Sequence, residues 1–273
     1  MNNLSTKRGK ILLVDAGNTR IKLAVLSLGE SFKNLNILPS LPYGANTEQW
    51  KIALESGDVL PYAMNPLPVL CSSVVDEEKN RQIQSQISDF FKAAVVWRYW
   101  KNNPLPKDFS SSYESPGLGS DRLLAALAAR RSWPEEKIMV LASFGTATTV
   151  DTVFQHRYCG GLIAPGIALM AQSLATHTAN LAVQEGEMVA VPNNTADAIH
   201  TAIIAAQLGC IEHALRAAHK LNQNPSDAIT LIVSGGGLAA IARHLPAHEV
   251  LPNAVLQGLA VIAYETDIFS ACF

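Results

Sequence analysis

The chain has 273 residues, of which 48% are hydrophobic and 16% are charged. This balance is ordinary for a globular protein with a large core, and the length suits two domains of roughly 130 residues each. The 21 basic and 23 acidic residues give a net charge of −2 without a block of like charge. We therefore expect no nucleic-acid partner, because such partners select basic surfaces.

The strongest candidate for a membrane segment is Leu162 to Ala175, which is interrupted by Pro165 and Gly166. It is shorter than the roughly 20 apolar residues that span a bilayer. The apolar run that starts at Ile11 stops at Asp15, short of a signal-peptide core. We therefore predict a cytoplasmic protein with no membrane partner. The cysteines lack metal-ligand spacing and are expected to be reduced: Cys71, Cys159, Cys210 and Cys272.

The first half opens with two β-rich runs, Ile11 to Ala16 and Ile21 to Leu26, separated by a Gly/Asn turn. A third strand is expected near Ile37. Helical periodicity from Glu77 to Phe91, between strands at Val69–Cys71 and Ala93–Trp97, indicates a parallel crossover. A long loop then leads to a helix over Asp121 to Arg131, and the predicted domains are residues 1–118 and 119–273.

The second half repeats this opening, with strand 138–142, a tight turn at 145–148 and strand 149–154. A third strand (158–164) precedes helices at 167–179 and 195–221. The run 229–233 is predicted to be a buried strand that ends in three glycines, followed by a helix, a strand at 249–251 and a final helix from Ala254. This similarity between the halves predicts an α/β protein with two pseudo-symmetric domains.

Two glycine turns carry phosphate-binding chemistry. Asp15 ends the first strand and is followed by Gly17, Asn18 and Thr19, whose N–H groups can approach an anion without a Cβ in the way. Lys22 can reach the same phosphates. A plain hairpin turn capped by Asp15 is the alternative, but Gly145 and Thr146 repeat the pattern in the second half. The repetition favours one nucleotide held by both turns.

The third glycine turn, Gly235-Gly236-Gly237, lies between a strand and a helix. It suits close approach to the adenosine of the nucleotide, and a turn that needs positive φ explains it equally well. The two explanations are compatible.

Asp121 and Arg122 begin a helix directly after a glycine-rich loop. Asp121 is either an N-terminal dipole partner or a base that takes the proton of a substrate hydroxyl. Arg122 is suited to an anionic substrate group or a phosphoryl oxygen.

Four motifs in order resemble the type III pantothenate kinases, some members of which are described as accessory factors for virulence-gene transcription. They are Asp-x-Gly-Asn-Thr-x-x-Lys from Asp15, Gly-x-Asp-Arg from Gly119, Phe-Gly-Thr-Ala-Thr-Thr-x-Asp from Phe144 and Gly-Gly-x-Ile-x-Pro-Gly from Gly160. The resemblance implies an actin-like ATPase (ribonuclease H-like) fold with the active site between two domains. It also implies a homodimer and ATP-dependent phosphorylation of pantothenate, the first step of coenzyme A biosynthesis.

The resemblance also implies roles for individual residues. Asp121 would be the catalytic base, and Asp15 would hold Mg²⁺. The ATP-binding residues would be Asp15, Ala16, Gly17, Asn18, Thr19, Arg20, Ile21, Lys22, Gly145, Thr146, Gly235 and Gly236. The pantothenate-binding residues would be Tyr113, Gly119, Ser120, Asp121, Arg122 and Thr195.

Ser143 departs from the pattern of the members that a monovalent cation, K⁺ or NH₄⁺, activates, because they carry an aspartate there. A neutral hydroxyl supplies no anionic ligand, so we expect activity to be nearly independent of K⁺ at fixed ionic strength. Two alternatives to the pantothenate kinase remain at this point. One is a kinase of the same fold for another small hydroxylated substrate, and the other is a non-catalytic transcription accessory factor.

Overall fold

The computed structural model describes residues 9–57, 67–91, 95–102, 104–114, 117–134, 136–178, 185–221, 228–266 and 268–269. Contacts between Cα atoms divide the chain into two compact units. Unit 1 comprises Met1–Ser110, Glu114–Arg131 and Ala254–Phe273, and unit 2 comprises Ser111–Tyr113 and Ser132–Asn253.

The strands are β1 (Lys10–Ala16), β2 (Arg20–Ser27), β3 (Asn36–Ile37), β4 (Leu41–Pro42), β5 (Leu67–Ser73), β6 (Val95–Tyr99), β7 (Ser110–Ser111), β8 (Ile138–Phe144), β9 (Ala147–Phe154), β10 (Arg157–Pro165), β11 (Ile229–Ser234) and β12 (Glu249–Val250). The α-helices are α1 (Thr47–Glu55), α2 (Glu77–Phe91), α3 (Ser120–Ser132), α4 (Ile167–His177), α5 (Thr195–Leu221) and α6 (Ala254–Glu265).

Both sheets have the same strand order. In the first sheet the order is β3-β2-β1-β5-β6, with β1–β2 and β2–β3 antiparallel and β1–β5 and β5–β6 parallel. In the second sheet β10-β9-β8-β11-β12 repeats this order and these directions, and β7 is added at the edge. This duplicated order confirms the predicted α/β protein with two similar halves.

Alternation along β1 and β2 builds the core of unit 1. Side chains two residues apart, such as Leu12 and Val14 on β1, face α1 and α2, where Trp50 and Ile87 pack against them. The intervening residues of β1, including Asp15, therefore lie on the opposite face of the sheet. This places Asp15 on the side of the sheet away from α1 and α2.

The C-terminal helix α6 packs on β1, β2 and β5 of unit 1. Gly258 brings α6 against α3, because a Cβ at this position would collide with the carbonyl of Leu124. Arg131 at the end of α3 donates to Glu265 at the end of α6. These contacts place α3 and α6 in the same unit as the first sheet. The division of the chain by contacts therefore differs from the domain boundary expected between residues 118 and 119.

Helix α5 builds the core of unit 2. It packs on β8, β9, β10 and β11, and its residues Ile204, Ile211 and Ala214 enter the core cluster. Among the described residues, α5 is also the helix whose length and hydropathy reach those of a membrane span. One face of α5 packs on these four strands, and the rest of its surface is partly or fully exposed. Leu162 to Ala175, the apolar segment that is too short to span a bilayer, divides between β10 and α4.

One predicted element of unit 2 differs in the structure. A helix was expected after the three glycines, but the chain forms two short 3₁₀ turns, Leu238–Ala240 and Ala242–His244. Pro246 follows closely, and a proline favours an extended residue before it, which leaves no room for a regular α-helix. Residue 179, the predicted end of α4, lies outside the described residues, as does Cys272.

Candidate active site

Asp15 lies near the end of β1, between two neighbouring strands. Its register partners are Lys22 on β2 and Ser72 on β5. The Asp15 side chain is 7% exposed, and its Oδ2 lies 3.5 Å from Nζ of Lys22. The first sheet thus holds a nearly buried carboxylate beside one partly exposed cation.

The surroundings of Asp15 raise its pKa from 3.8 to about 6. Burial is the main cause, Lys22 acts in the opposite direction, and the negative charge of Asp121 raises the pKa further. In the protein without ligand, this carboxylate is therefore anionic at neutral pH at a substantial energetic cost. A cation bound beside it would reduce that cost.

Helix α3 brings Asp121 close enough to Asp15 for their charges to interact. The hydroxyls of Ser120 and Ser72 share a hydrogen bond of 2.8 Å, which joins the start of α3 to β5 next to Asp15. A Cβ at Gly119 would come within 2.5 Å of Asp121 Oδ1, so glycine makes room for this carboxylate. The next residue, Arg122, is buried.

The first loop, Gly17 to Thr19, joins β1 to β2. Tyr43 Oη donates to the carbonyl of Gly17 at 2.7 Å, and the Arg20 guanidinium donates to the hydroxyl and the carbonyl of Ser40. Ala16 and Ile21 point into the core of unit 1, so only their backbone is available to a ligand. Tyr43 and Ser72 could not be identified from the sequence, because each contacts a residue that is far away along the chain.

The second loop, Gly145 and Thr146, belongs to unit 2 and joins β8 to β9. The Gly166 N–H donates to the Thr146 carbonyl at 2.9 Å, and the Gly145 N–H donates to the Ala147 carbonyl at 3.0 Å. A Cβ at Gly166 would collide with the carbonyl of Gly145. The Pro165-Gly166 turn therefore packs directly against the backbone of the second loop.

The triple-glycine turn contacts the strand that leads into the second loop. The Gly237 N–H donates to the Phe144 carbonyl at 3.0 Å. Gly235 has φ of 100° and its Cβ would collide with Phe144, so the backbone alone requires this glycine. A Cβ at Gly236 meets nothing within 4 Å, so Gly236 has open space beside it.

The two remaining predicted substrate residues belong to unit 2. Tyr113 is partly exposed, and its ring centroid lies 6.2 Å from that of Tyr158. Thr195 begins α5 and lines an open cavity of about 620 Å³. The other residues that line the cavity are Leu174, Pro192, Asn193, Asn194, Ala198, Ile199 and Ala202.

The duplicated sheet order and the glycine loop after the first strand of each sheet are features that the predicted two-domain phosphotransferase requires. The model of the type III pantothenate kinase family matches residues 11–217. The chain belongs to this family.

Curated relatives agree with this assignment, and a solved structure shares the fold. The chain is 34% identical to type III pantothenate kinases of Herminiimonas arsenicoxydans and Bordetella petrii, in each case over 94% of this chain and 98% of the relative. A Campylobacter jejuni protein described as a Baf family transcriptional activator has a similar fold. Its TM-score is 0.57 at 19% identity, over 93% of this chain and 98% of that chain.

Proposed function

We propose that this chain transfers the γ-phosphoryl group of ATP to the primary hydroxyl of pantothenate and so forms 4′-phosphopantothenate. This is the first step of coenzyme A biosynthesis. The observation that carries the proposal is the pair of carboxylates in unit 1, Asp15 and Asp121. The Ser72–Ser120 hydrogen bond joins β5, which lies next to Asp15, to the start of α3, which carries Asp121. Membership of the family supplies the substrate.

Asp121 is the general base in this proposal. It stands in the first turn of α3 and takes the proton of the attacking hydroxyl as the phosphoryl group is transferred in line. Asp121 Oδ1 accepts a hydrogen bond from the N–H of Arg122 at 2.9 Å, which orients the carboxylate. Its partial exposure leaves it accessible to a substrate.

ATP is bound by the glycine loops in this proposal. The N–H groups of the first loop and the Lys22 ammonium contact its phosphates, and Gly145 and Thr146 contribute from unit 2. Gly236 has open space on the turn that touches Phe144, which suits the adenosine. Arg20 is engaged with Ser40, so its part in ATP binding stays a prediction.

Asp15 fits a Mg²⁺ ion that is shared with ATP. Mg²⁺ is usually held by one or two carboxylates together with substrate phosphates and water, so a cluster of protein ligands is not required. Asp15 supplies such a carboxylate, and burial, which raises its pKa, makes its ionised form costly in the absence of a bound cation. When bound, the ion neutralises charge on the phosphate oxygens.

The residues proposed to bind pantothenate are those that the family resemblance implies: Tyr113, Gly119, Ser120, Asp121, Arg122 and Thr195. The cavity beside Thr195 combines the polar Asn193 and Asn194 with the apolar Leu174 and Ile199. This mixture suits a small molecule that carries both methyl groups and amide or carboxylate groups.

ATP consumption by the purified protein, with and without pantothenate, tests this function. We expect turnover only with pantothenate, and 4′-phosphopantothenate in amounts equal to ADP. Turnover with another alcohol in its place would favour a different kinase of the same fold. Nucleotide binding without turnover on any small alcohol would favour the accessory-factor alternative.

Gly17→Ala is expected to weaken ATP binding and leave pantothenate binding unchanged. A Cβ here meets only the Arg20 carbonyl, at 3.5 Å, and φ is not positive, so the fold accepts alanine. The methyl group instead occupies the side from which phosphate approaches. Calorimetric titration with each ligand measures the effect, and thermal unfolding serves as the control. Equal weakening for both ligands would contradict the assignment of the first loop to ATP.

We also propose that α5 forms the interface of a homodimer. Exposed small residues lie along one face of its N-terminal half, at Ala198, Ala202, Ala205 and Gly209, and α4 beside it buries none of its residues within the chain. Light scattering is expected to give twice the chain mass at micromolar concentration. The Ala205→Arg variant is expected to be a monomer, with the mass of one chain, and to keep the helix content of the wild-type protein. A monomeric wild-type protein would rule out this interface.

A cytoplasmic location and independence from K⁺ belong to the same proposal. The first rests on the family and the second on Ser143, which stands between Thr149 of β9 and Ser234 of β11 in the sheet register. These register neighbours are also neutral.

A further inference from the structure

We propose that Tyr43 is a positioning residue that sets the direction of the Gly17–Asn18 peptide for phosphate binding, an inference that rests on the proposed role of the first loop. The Tyr43 hydroxyl donates to the Gly17 carbonyl at 2.7 Å across 26 residues of sequence. In a trans peptide the carbonyl and the next N–H point in opposite directions. Holding the Gly17 oxygen at Tyr43 therefore turns the Asn18 N–H to the other side of the loop.

The bond matters because glycine leaves this peptide unit free to rotate. Gly17 has no Cβ, and a Cβ at this position would meet only the Arg20 carbonyl, at 3.5 Å. If the peptide rotated, it would present the negative end of its dipole to a phosphate in place of a donor. Fixing the N–H before ATP arrives removes that alternative and its entropic cost.

Tyr43 is itself held firmly by the backbone. Residues 42–45 form a β-turn in which the Ala45 N–H donates to the Pro42 carbonyl at 3.2 Å, with φ of 84° at Gly44. On one side of the turn β4 pairs with β2, and on the other α1 begins with a capping box formed by Asn46 and Gln49. The Tyr43 backbone is thus fixed between two regular elements.

The Tyr43 ring packs only partly against the core of unit 1. One side borders a cavity of about 370 Å³ that is also lined by Trp50, Gln82, Ile83 and Gln86. The Lys79 ammonium stands 5.6 Å from the ring centroid. The ring thus has open space on one side, and the hydroxyl is the group that joins it to the loop. Burial, with a smaller effect of Asp15, raises the pKa of Tyr43 to about 12, so the hydroxyl keeps its proton at neutral pH.

Tyr43→Phe removes the hydroxyl and keeps the ring. We expect it to raise the KM for ATP and the dissociation constant for ADP by roughly five- to tenfold, the effect of losing one hydrogen bond. The KM for pantothenate and kcat should change little, which a general structural defect would not produce. Tyr43→Leu should weaken ADP binding to the same extent, because both variants lose the hydrogen bond that the hydroxyl makes.

Tyr264→Phe is the matched control. The Tyr264 hydroxyl also donates to backbone carbonyls of unit 1, those of Ser27 and Glu30, but at a different place. We expect a similar loss of thermal stability with unchanged ADP affinity. Wild-type ADP affinity in Tyr43→Phe, or an equal loss in Tyr264→Phe, would overturn the proposal. The ADP titration decides this even if the wild-type protein fails to phosphorylate pantothenate, in which case the proposed function fails separately.

Discussion

Asp121→Asn is expected to lower kcat for phosphorylation by about 10²- to 10⁴-fold, the usual cost of removing a general base. An amide has the size of the carboxyl group and cannot accept the proton of the pantothenate hydroxyl. Its oxygen can still accept the hydrogen bond from the Arg122 N–H, so the start of α3 should keep its structure. Steady-state rates with saturating ATP and pantothenate measure the change.

Calorimetry provides the control for Asp121→Asn. The variant should bind ADP as the wild-type protein does, because Asp121 is proposed to contact the acceptor hydroxyl and not the nucleotide. Activity within about threefold of the wild type would remove Asp121 from the role of base, since even the lower limit for a general base is near 10².

Asp15→Asn is expected to stabilise the ligand-free protein and at the same time reduce its activity by about 100-fold or more. The activity falls because the carboxylate that fits Mg²⁺ is lost, and such metal contacts contribute several kcal/mol to catalysis. The stability rises because a buried charge with a raised pKa is removed. Few substitutions are expected to move these two properties so far in opposite directions.

The pH dependence gives the sign of the effect on stability. With a pKa of 3.8 unfolded and about 6 folded, Asp15 binds more protons in the folded state between these values. The free energy of unfolding therefore falls as pH rises from about 4 to 6, by up to roughly 3 kcal/mol, and then levels off. Urea unfolding in metal-free buffer at several pH values measures it. Asp15→Asn should flatten this slope, and an unchanged slope would contradict the assignment of the pKa to Asp15.

The regular elements with strong periodicity were predicted closely from the sequence. The bounds of α2 and α5 are those expected, since the buried residues of each helix recur at helical spacing. The β-hairpins that open each half also lie where the glycine turns predicted them. These features depend on neighbours along the chain, which is why a single sequence suffices for them.

Helix α1 was missed although its start carries a recognisable signal. Asn46 and Gln49 form a reciprocal capping box, a pattern that can be read from the sequence. The helix is only nine residues long, and of its residues Trp50, Ala53 and Leu54 are buried. So short a stripe gives weak periodicity, and the cap was the better indicator.

The sequence indicated the candidate residues of the site, but not the hydrogen bonds that join them to the rest of the fold. Asp15, the two glycine loops and Asp121 follow from local motifs, although their roles stay predictions. The Ser72–Ser120 and Tyr43–Gly17 contacts join residues 48 and 26 positions apart. Nothing local to these residues identifies their partners, because the pairings arise from the register of the sheet and the path of the turn.

The return of α6 to the first sheet affects how the chain folds during its synthesis. Unit 1 needs residues from both ends of the chain, whereas nearly all of unit 2 is the continuous segment Ser132–Asn253. At translation rates of about 5 to 20 residues per second, on the order of 10 seconds separate the emergence of α3 from that of α6. During this interval the surfaces of β1, β5 and α3 that α6 covers stay open to other proteins. The ribosome-bound chain therefore contains a nearly complete unit 2 while unit 1 is still incomplete. The carboxylate pair in unit 1 reaches its final surroundings only after α6 has been made.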